Sequence, residues 1–158
     1  MSHSVLFVCT GNICRSPMAE ALFNHLARAR GESAEWYARS AGTWGMDNQA
    51  ASGHAQTVMA QRGINLRAHR AKSVARADIV SADVIVVMTQ NHFDVLLAQF
   101  PAYTYKLHLL SQLEQKIFDI ADPYGGTLSD YETCARQLET LITTGYDQIK
   151  TWALNHDS

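Results

Sequence analysis

Short apolar runs alternate along this chain with longer segments whose apolar residues recur at helical spacing. Val5-Leu-Phe-Val8 is the pattern of a buried strand. An amphipathic stretch follows, and its spacing predicts a helix from about Pro17 to Arg30. Trp36 to Ser40 predicts a second strand, ending at the Gly42 turn. Gln49 to Arg62 reads as a helix stopped by Gly63. Val84-Ile-Val-Val-Met88 is the clearest buried strand, with a helix from about Asn91 to Gln99 behind it, and Lys106 to Leu110 is a short fourth strand. Ser129-Asp-Tyr-Glu132 has capping-box spacing and starts a long helix running towards Asn155.

Strands that alternate with helices predict βαβ units, hence an α/β protein with an open, doubly wound, four-stranded parallel sheet and helices on both faces. In such sheets ligands bind beyond the carboxyl ends of the strands, where the strand order switches. Residues 1–158 show no repeat, low-complexity tract or linker, so one domain is expected.

Composition narrows the function classes. Apolar residues make up 47% of the chain and charged residues 18%, ordinary for a globular protein. A net charge of −2 gives no general attraction to nucleic acid or to anionic membranes. No apolar run approaches the ~20 residues of a membrane span, and Met1-Ser-His-Ser4 lacks the pattern of a signal peptide. Three cysteines without an export signal point to free thiols in the cytoplasm. His3, His25, His54, His69, His92, His108 and His156 are scattered without ligand spacing, so no metal or other cofactor is expected.

The candidate chemistry sits at the end of the first strand, in Cys9-Thr-Gly-Asn-Ile-Cys-Arg-Ser16. Strand, tight loop and helix amino-terminus form an anion cradle, because loop N–H groups and the helix dipole converge there. A thiol in that field is favoured as thiolate, and Arg15 offers a fork for two oxygens of a tetrahedral oxyanion. Gly11 and Asn12 are placed where a tight loop needs positive φ. Thr10, Gly11, Asn12, Ile13, Cys14 and Arg15 are thus the predicted phosphate-binding segment, and Cys9 the nucleophile. Ser16 either donates its hydroxyl to Cys9, caps the helix, or does both. Asp122, in Asp122-Pro-Tyr-Gly-Gly126, reads by itself as a turn aspartate; paired with the Cys9 loop, the role of general acid becomes the expected one. Trp44 and Tyr124 are candidate aromatic walls of a substrate cleft, and Cys134 is expected to be without a role.

At these residues the chain resembles the low-molecular-weight protein tyrosine phosphatases. Their loop reads Cys-x-Gly-Asn-x-Cys-Arg-Ser, and their acid motif is Asp-Pro followed by an aromatic residue, as in Asp122-Pro123-Tyr124. The likeness also takes in Ser40-Ala-Gly-Thr43 and nearly the whole chain. It implies phosphotyrosine hydrolysis on protein substrates through a phospho-cysteine on Cys9, with Arg15 and the loop amides binding phosphate and Asp122 as general acid and base. It further implies that His69 bonds to Asn12, although a solvated histidine fits that position as well. Cys14 would form a reversible disulfide with Cys9 under oxidation. A tyrosine kinase is a common partner among bacterial relatives of this kind. The segments around Ser40 and Asp122 also resemble protein arginine phosphatases, where threonine stands at the Ile13 position. Isoleucine neither donates nor accepts a hydrogen bond, so phosphotyrosine is the expected substrate. Arsenate reductases share the loop but need relay cysteines, and Asp83 to Leu113 contains none.

Overall fold

The computed structural model describes residues 2–155, so His156 lies outside the described residues. Strand β1 (His3–Cys9) is the hub of the sheet. It pairs in parallel with β2 (Trp36–Gly42) on one side and β3 (Val84–Val87) on the other. Strand β4 (Leu107–Leu109) joins β3, also in parallel, which gives the order β2-β1-β3-β4. The chain therefore leaves β1 towards one edge and returns to its other side. That reversal puts the switch point at the carboxyl end of β1, where Cys9 stands.

Alternation along β1 sends successive side chains to opposite faces, and each face has its own core. Val5 and Phe7 pack with α1 (Arg15–Ala29), α2 (Gly53–Ala60) and α5 (Leu128–Leu154), around Phe23, Met59 and Tyr146. Leu6 and Val8 face α3 (Arg76–Ser81) and α4 (Gln90–Gln99), against Ile79 and Leu96. The doubly wound sheet expected from the sequence is the architecture found.

Several boundaries differ from the sequence reading. The helix expected from Gln49 begins only at Gly53, because the preceding residues are used as a clamp. Asn48 takes a φ of 67°, Ser52 N–H donates to the Ile13 carbonyl at 2.9 Å, and the Gln49 carbonyl accepts from Ala71 at 2.8 Å. The long helix starts at Leu128, and its cap is Thr127, two residues before Ser129. Thr127 Oγ1 accepts from Asp130 N–H at 3.2 Å, and Asp130 Oδ2 accepts from Thr127 N–H at 2.9 Å. Leu110 lies outside β4 and opens a 3-10 turn (Leu110–Glu114). Helix α3 has no counterpart in the sequence reading, since six residues are too few to show a period. It is held by Asp78, whose buried carboxylate accepts from Ala75 N–H and pairs with Arg39 and Lys72.

Candidate active site

The loop after β1 is shaped by what its carbonyls bond to. Those of Cys9, Thr10 and Gly11 accept from the N–H groups of Thr43 (2.8 Å), Trp44 (3.0 Å) and Met46 (3.0 Å). The Asn12 carbonyl bonds His69 Nε2 at 2.7 Å, and those of Ile13 and Cys14 accept from Ser52 (2.9 Å) and Met18 (3.2 Å). Peptide planes turned outward in this way offer their N–H edges to the other side, where an anion would sit. The fit is tight. A Cβ on Gly42 would stand 2.2 Å from the Thr10 carbonyl oxygen, so only glycine lets β2 end beside the loop.

Asn12 takes the left-handed conformation, with φ of 61°, and is fully buried. Its Oδ1 accepts from Lys72 N–H at 3.0 Å, and its Nδ2 donates to Ser16 Oγ at 2.8 Å and Ser40 Oγ at 3.0 Å. Gly11 is not at positive φ, contrary to the sequence reading. It lies in ordinary contact range of Met46, so Asn12 alone makes the left-handed step. Behind Asn12, Ser40 Oγ donates to Glu20 Oε1 at 2.6 Å. Burial raises the Glu20 carboxyl above the usual range, opposed by that hydrogen bond and by His69.

Ser16 Oγ lies 2.8 Å from Cys9 Sγ. Asn12 Nδ2 already donates to this oxygen, and the other acceptor in reach of the hydroxyl proton, the Ala41 carbonyl, is distant at 3.5 Å. The sulfur is therefore the nearer target, and negative charge there is stabilised. Ser16 is not the helix cap: α1 begins at Arg15, and its N-cap, Cys14, makes no side-chain capping bond. Of the two roles left open by the sequence, the structure keeps the contact with Cys9.

Arg15 is buried although charged. Its Nη1 donates to the Ile120 carbonyl at 2.8 Å, and its Nη2 faces Asp122 Oδ2 at 3.3 Å and Thr10 Oγ1 at 3.4 Å. Asp122 also accepts from Tyr124 N–H through Oδ1 at 3.1 Å, so the turn role and a place at the site coexist. Cys9, Thr10, Gly11, Ile13, Cys14, Arg15, Trp44, Met46, Asp122 and Tyr124 line one cavity of about 270 Å³. Trp44 and Tyr124 stand at its mouth, 80% and 61% exposed. The sequence reading thus named every lining residue except Met46.

Two neighbours went unrecognised as well. His92 is buried with its Nε2 2.8 Å from Thr10 Oγ1. Burial, with Arg15 nearby, pushes it down to about 4. The signal in the sequence was the Thr89-Gln-Asn-His92 spacing of a capped first helical turn. Tyr131 is the other, its hydroxyl 3.3 Å from Cys14 Sγ. Burial raises the Cys14 thiol and pushes that of Cys134 up to about 12. Among the described residues no group of three or more His, Cys, Asp or Glu is placed to hold a metal ion, and no helix is long and apolar enough to cross a membrane.

Comparison with known proteins bears on this cavity. The model of the family "Low molecular weight phosphotyrosine protein phosphatase" matches residues 4–152. A protein-arginine-phosphatase of Geobacillus stearothermophilus is 36% identical over 152 residues, covering 96% of this chain and 99% of that protein. The crystal structure of a low molecular weight protein tyrosine phosphatase from T. tengcongensis superposes with a TM-score of 0.88 at 38% identity, covering 93% of this chain and 99% of the other. YwlE arginine phosphatase, solved as a Cys→Ser mutant with a phosphorylated active site serine, superposes with a TM-score of 0.88 at 34% identity, covering 93% and 95%.

Proposed function

The chain belongs to the low molecular weight phosphotyrosine protein phosphatase family, and from that premise we propose that it hydrolyses phosphotyrosine on protein substrates through a phospho-cysteine on Cys9. One observation carries the reading. A thiol held 2.8 Å from a hydroxyl shares its cavity with an Arg15–Asp122 pair, so nucleophile, oxyanion clamp and proton carrier face one space.

In this scheme Cys9 attacks phosphorus in line, the S–P bond forms, and the P–O bond to the tyrosyl oxygen breaks. The amides from Thr10 to Arg15 and the Arg15 guanidinium hold the equatorial oxygens, where charge is greatest. Asp122 hands its proton to the leaving oxygen. It then takes one from the water that attacks the phospho-cysteine, which releases phosphate and restores the thiolate. Ser16 steadies the sulfur in both steps, while Asn12 and His69 hold the loop in place. The phosphorylated serine that replaces a cysteine in YwlE supports transfer to the loop nucleophile. Trp44, Tyr124 and Met46 supply aromatic and apolar walls for a phosphorylated ring.

Relatives named arginine phosphatases favour a second reading, phosphoarginine. Ile13 counts against it: its side chain lines the cavity and offers no hydrogen bond to a guanidinium. Rates on phosphotyrosine, phosphoarginine and phosphoserine peptides, measured side by side, test the choice. The phosphotyrosine peptide is expected to lead, and Ile13→Thr to gain activity on phosphoarginine. A wild type that prefers phosphoarginine, or no gain in Ile13→Thr, overturns this account of selectivity.

All three cysteines are free thiols, which suits a cytoplasmic setting. With peroxide as oxidant, Cys9 would become a sulfenic acid, and the Cys14 thiol would displace water from it to give a disulfide that thiols reduce again. A tyrosine kinase remains the kind of partner that carries such a substrate.

A further inference from the structure

We propose that His92 is a positioning residue for phosphate recognition, acting through the Thr10 hydroxyl on the Arg15 guanidinium; the inference rests on the phosphatase reading above. His92 lies in the first turn of α4, which packs on the sheet face opposite α1. Its ring is held at both nitrogens: Nδ1 is 3.0 Å from Thr89 Oγ1, and Nε2 is 2.8 Å from Thr10 Oγ1. Thr89 Oγ1 also accepts the His92 amide at 3.2 Å, which locks the helix turn that carries the ring.

The donor and acceptor roles follow from the neighbours. Arg15 Nη2 can only donate, so Thr10 Oγ1 presents it a lone pair at 3.4 Å. The Thr10 proton is then directed at Nε2, and Nδ1–H is left to donate to Thr89 Oγ1. A neutral ring suits this arrangement, and the charged groups facing it are Arg15 from α1 together with Asp119 and Asp122 from the segment before α5. Burial and Arg15 disfavour the imidazolium that would reverse the Thr10 bond.

The contact matters because of what else holds Arg15. Among the described residues its Nε has no hydrogen-bond partner. Its plane is fixed by the Ile120 carbonyl, the Thr10 hydroxyl and Asp122. Asp122 must leave Arg15 to serve as proton donor, after which Ile120 and Thr10 remain. An exposed threonine at a loop rim has several staggered χ1 wells. The bond to His92 selects the one that sets Oγ1 beside the guanidinium.

Asparagine and glutamine separate the two ring nitrogens, since their terminal groups reach the Nδ1 and Nε2 positions respectively. The test measures kcat/KM for p-nitrophenyl phosphate and the inhibition constant of inorganic phosphate, with a thermal melt for each variant. His92→Asn and Thr10→Val are each expected to weaken both parameters about five- to tenfold, the scale of one lost hydrogen bond to a charged group's partner. His92→Gln should recover most of what His92→Asn loses, Thr10→Ser, which keeps the hydroxyl, should lose clearly less than Thr10→Val, and the double variant Thr10→Val/His92→Asn should be no worse than either single one. A role in core packing alone predicts a lowered melting temperature in the His92 variants with no change in Thr10→Val. Additive losses, or wild-type phosphate inhibition in Thr10→Val, overturn the proposal. If His92→Asn fails to fold, Thr10→Val against Thr10→Ser decides by itself. Wild-type protein with no phosphatase activity would instead refute the function on which the inference rests.

Discussion

Two loops meet at the cavity, and they are built in opposite ways. Between Cys9 and Ser16 the backbone is buried for most of its length, and each carbonyl from Cys9 to Cys14 has a partner. Around Asp122 the chain is mostly exposed. Apart from the Arg15–Asp122 pair its bonds there are few and local: Tyr124 N–H to Asp122 and Gly126 N–H to the Pro123 carbonyl, with Ile120 N–H tied to Met88 at the base. The difference matches the two tasks. An oxyanion cradle works only if its dipoles are fixed before charge develops. A proton donor has to approach one oxygen, serve a water next and let product leave, so few restraints suit it.

The comparison breaks first at its centre. Cys9→Ser should reduce p-nitrophenyl phosphate turnover on the order of 10⁴-fold or more while inorganic phosphate still binds, as read by its protection against thermal unfolding. Turnover near the wild-type rate would remove the covalent step altogether. On the loosely held side, Asp122→Asn should cost about 10²–10⁴-fold in kcat with little change in melting temperature, because few contacts are lost. A large drop in melting temperature would mean that this loop is as structural as the cradle.

Asn12 separates conformation from hydrogen bonding within the rigid loop. Asn12→Ala gives up the tolerated left-handed backbone and three side-chain bonds, for a stability loss of about 3 kcal/mol in urea unfolding. Asn12→Gly restores the conformation alone and should lose about 1 kcal/mol less. Equal losses would show that the backbone is not strained there. The smallest effect lies outside both loops. His108 stacks on Trp152 with ring centroids 4.1 Å apart, and burial pushes it down to about 4. An unfolded histidine titrates near ~6.5, so the unfolded chain takes up the proton first as pH falls. The His108 contribution is therefore complete above about pH 6.5 and is lost towards pH 4, by about 2 kcal/mol once solvent screening of the partly exposed ring is allowed for. Unfolding free energy against pH should decline less steeply in His108→Gln than in wild type; parallel curves would dismiss the assignment.

Much of this was legible in the residues. Val5 to Val8 and Val84 to Val87 are apolar on both faces, the pattern of a strand covered on both sides. The spacing of Cys9, Asn12, Arg15 and Ser16 fixed the cradle, since adjacent residues in a tight loop cannot lie far apart. Asp122 was harder. It is over a hundred residues from Cys9, and its place opposite Arg15 depends on Ile120 pairing with Met88 at the end of β3. Helix α3 left no period to read, and the cap of α5 fell on Thr127 rather than Ser129 because both residues precede an acidic partner by three.

By itself, then, the sequence determined the alternation of strands and helices, the nucleophile loop and the chemical type of the site. These are set by local spacing and by which faces must be buried. The tertiary structure decided the strand order β2-β1-β3-β4, the choice of Ser16 as partner of the sulfur, and the presence of Met46 and His92 at the cavity. The strand order and the placing of Met46 and His92 depend on contacts between segments distant in sequence, whose geometry follows from packing two cores on one sheet. No local pattern carries that information.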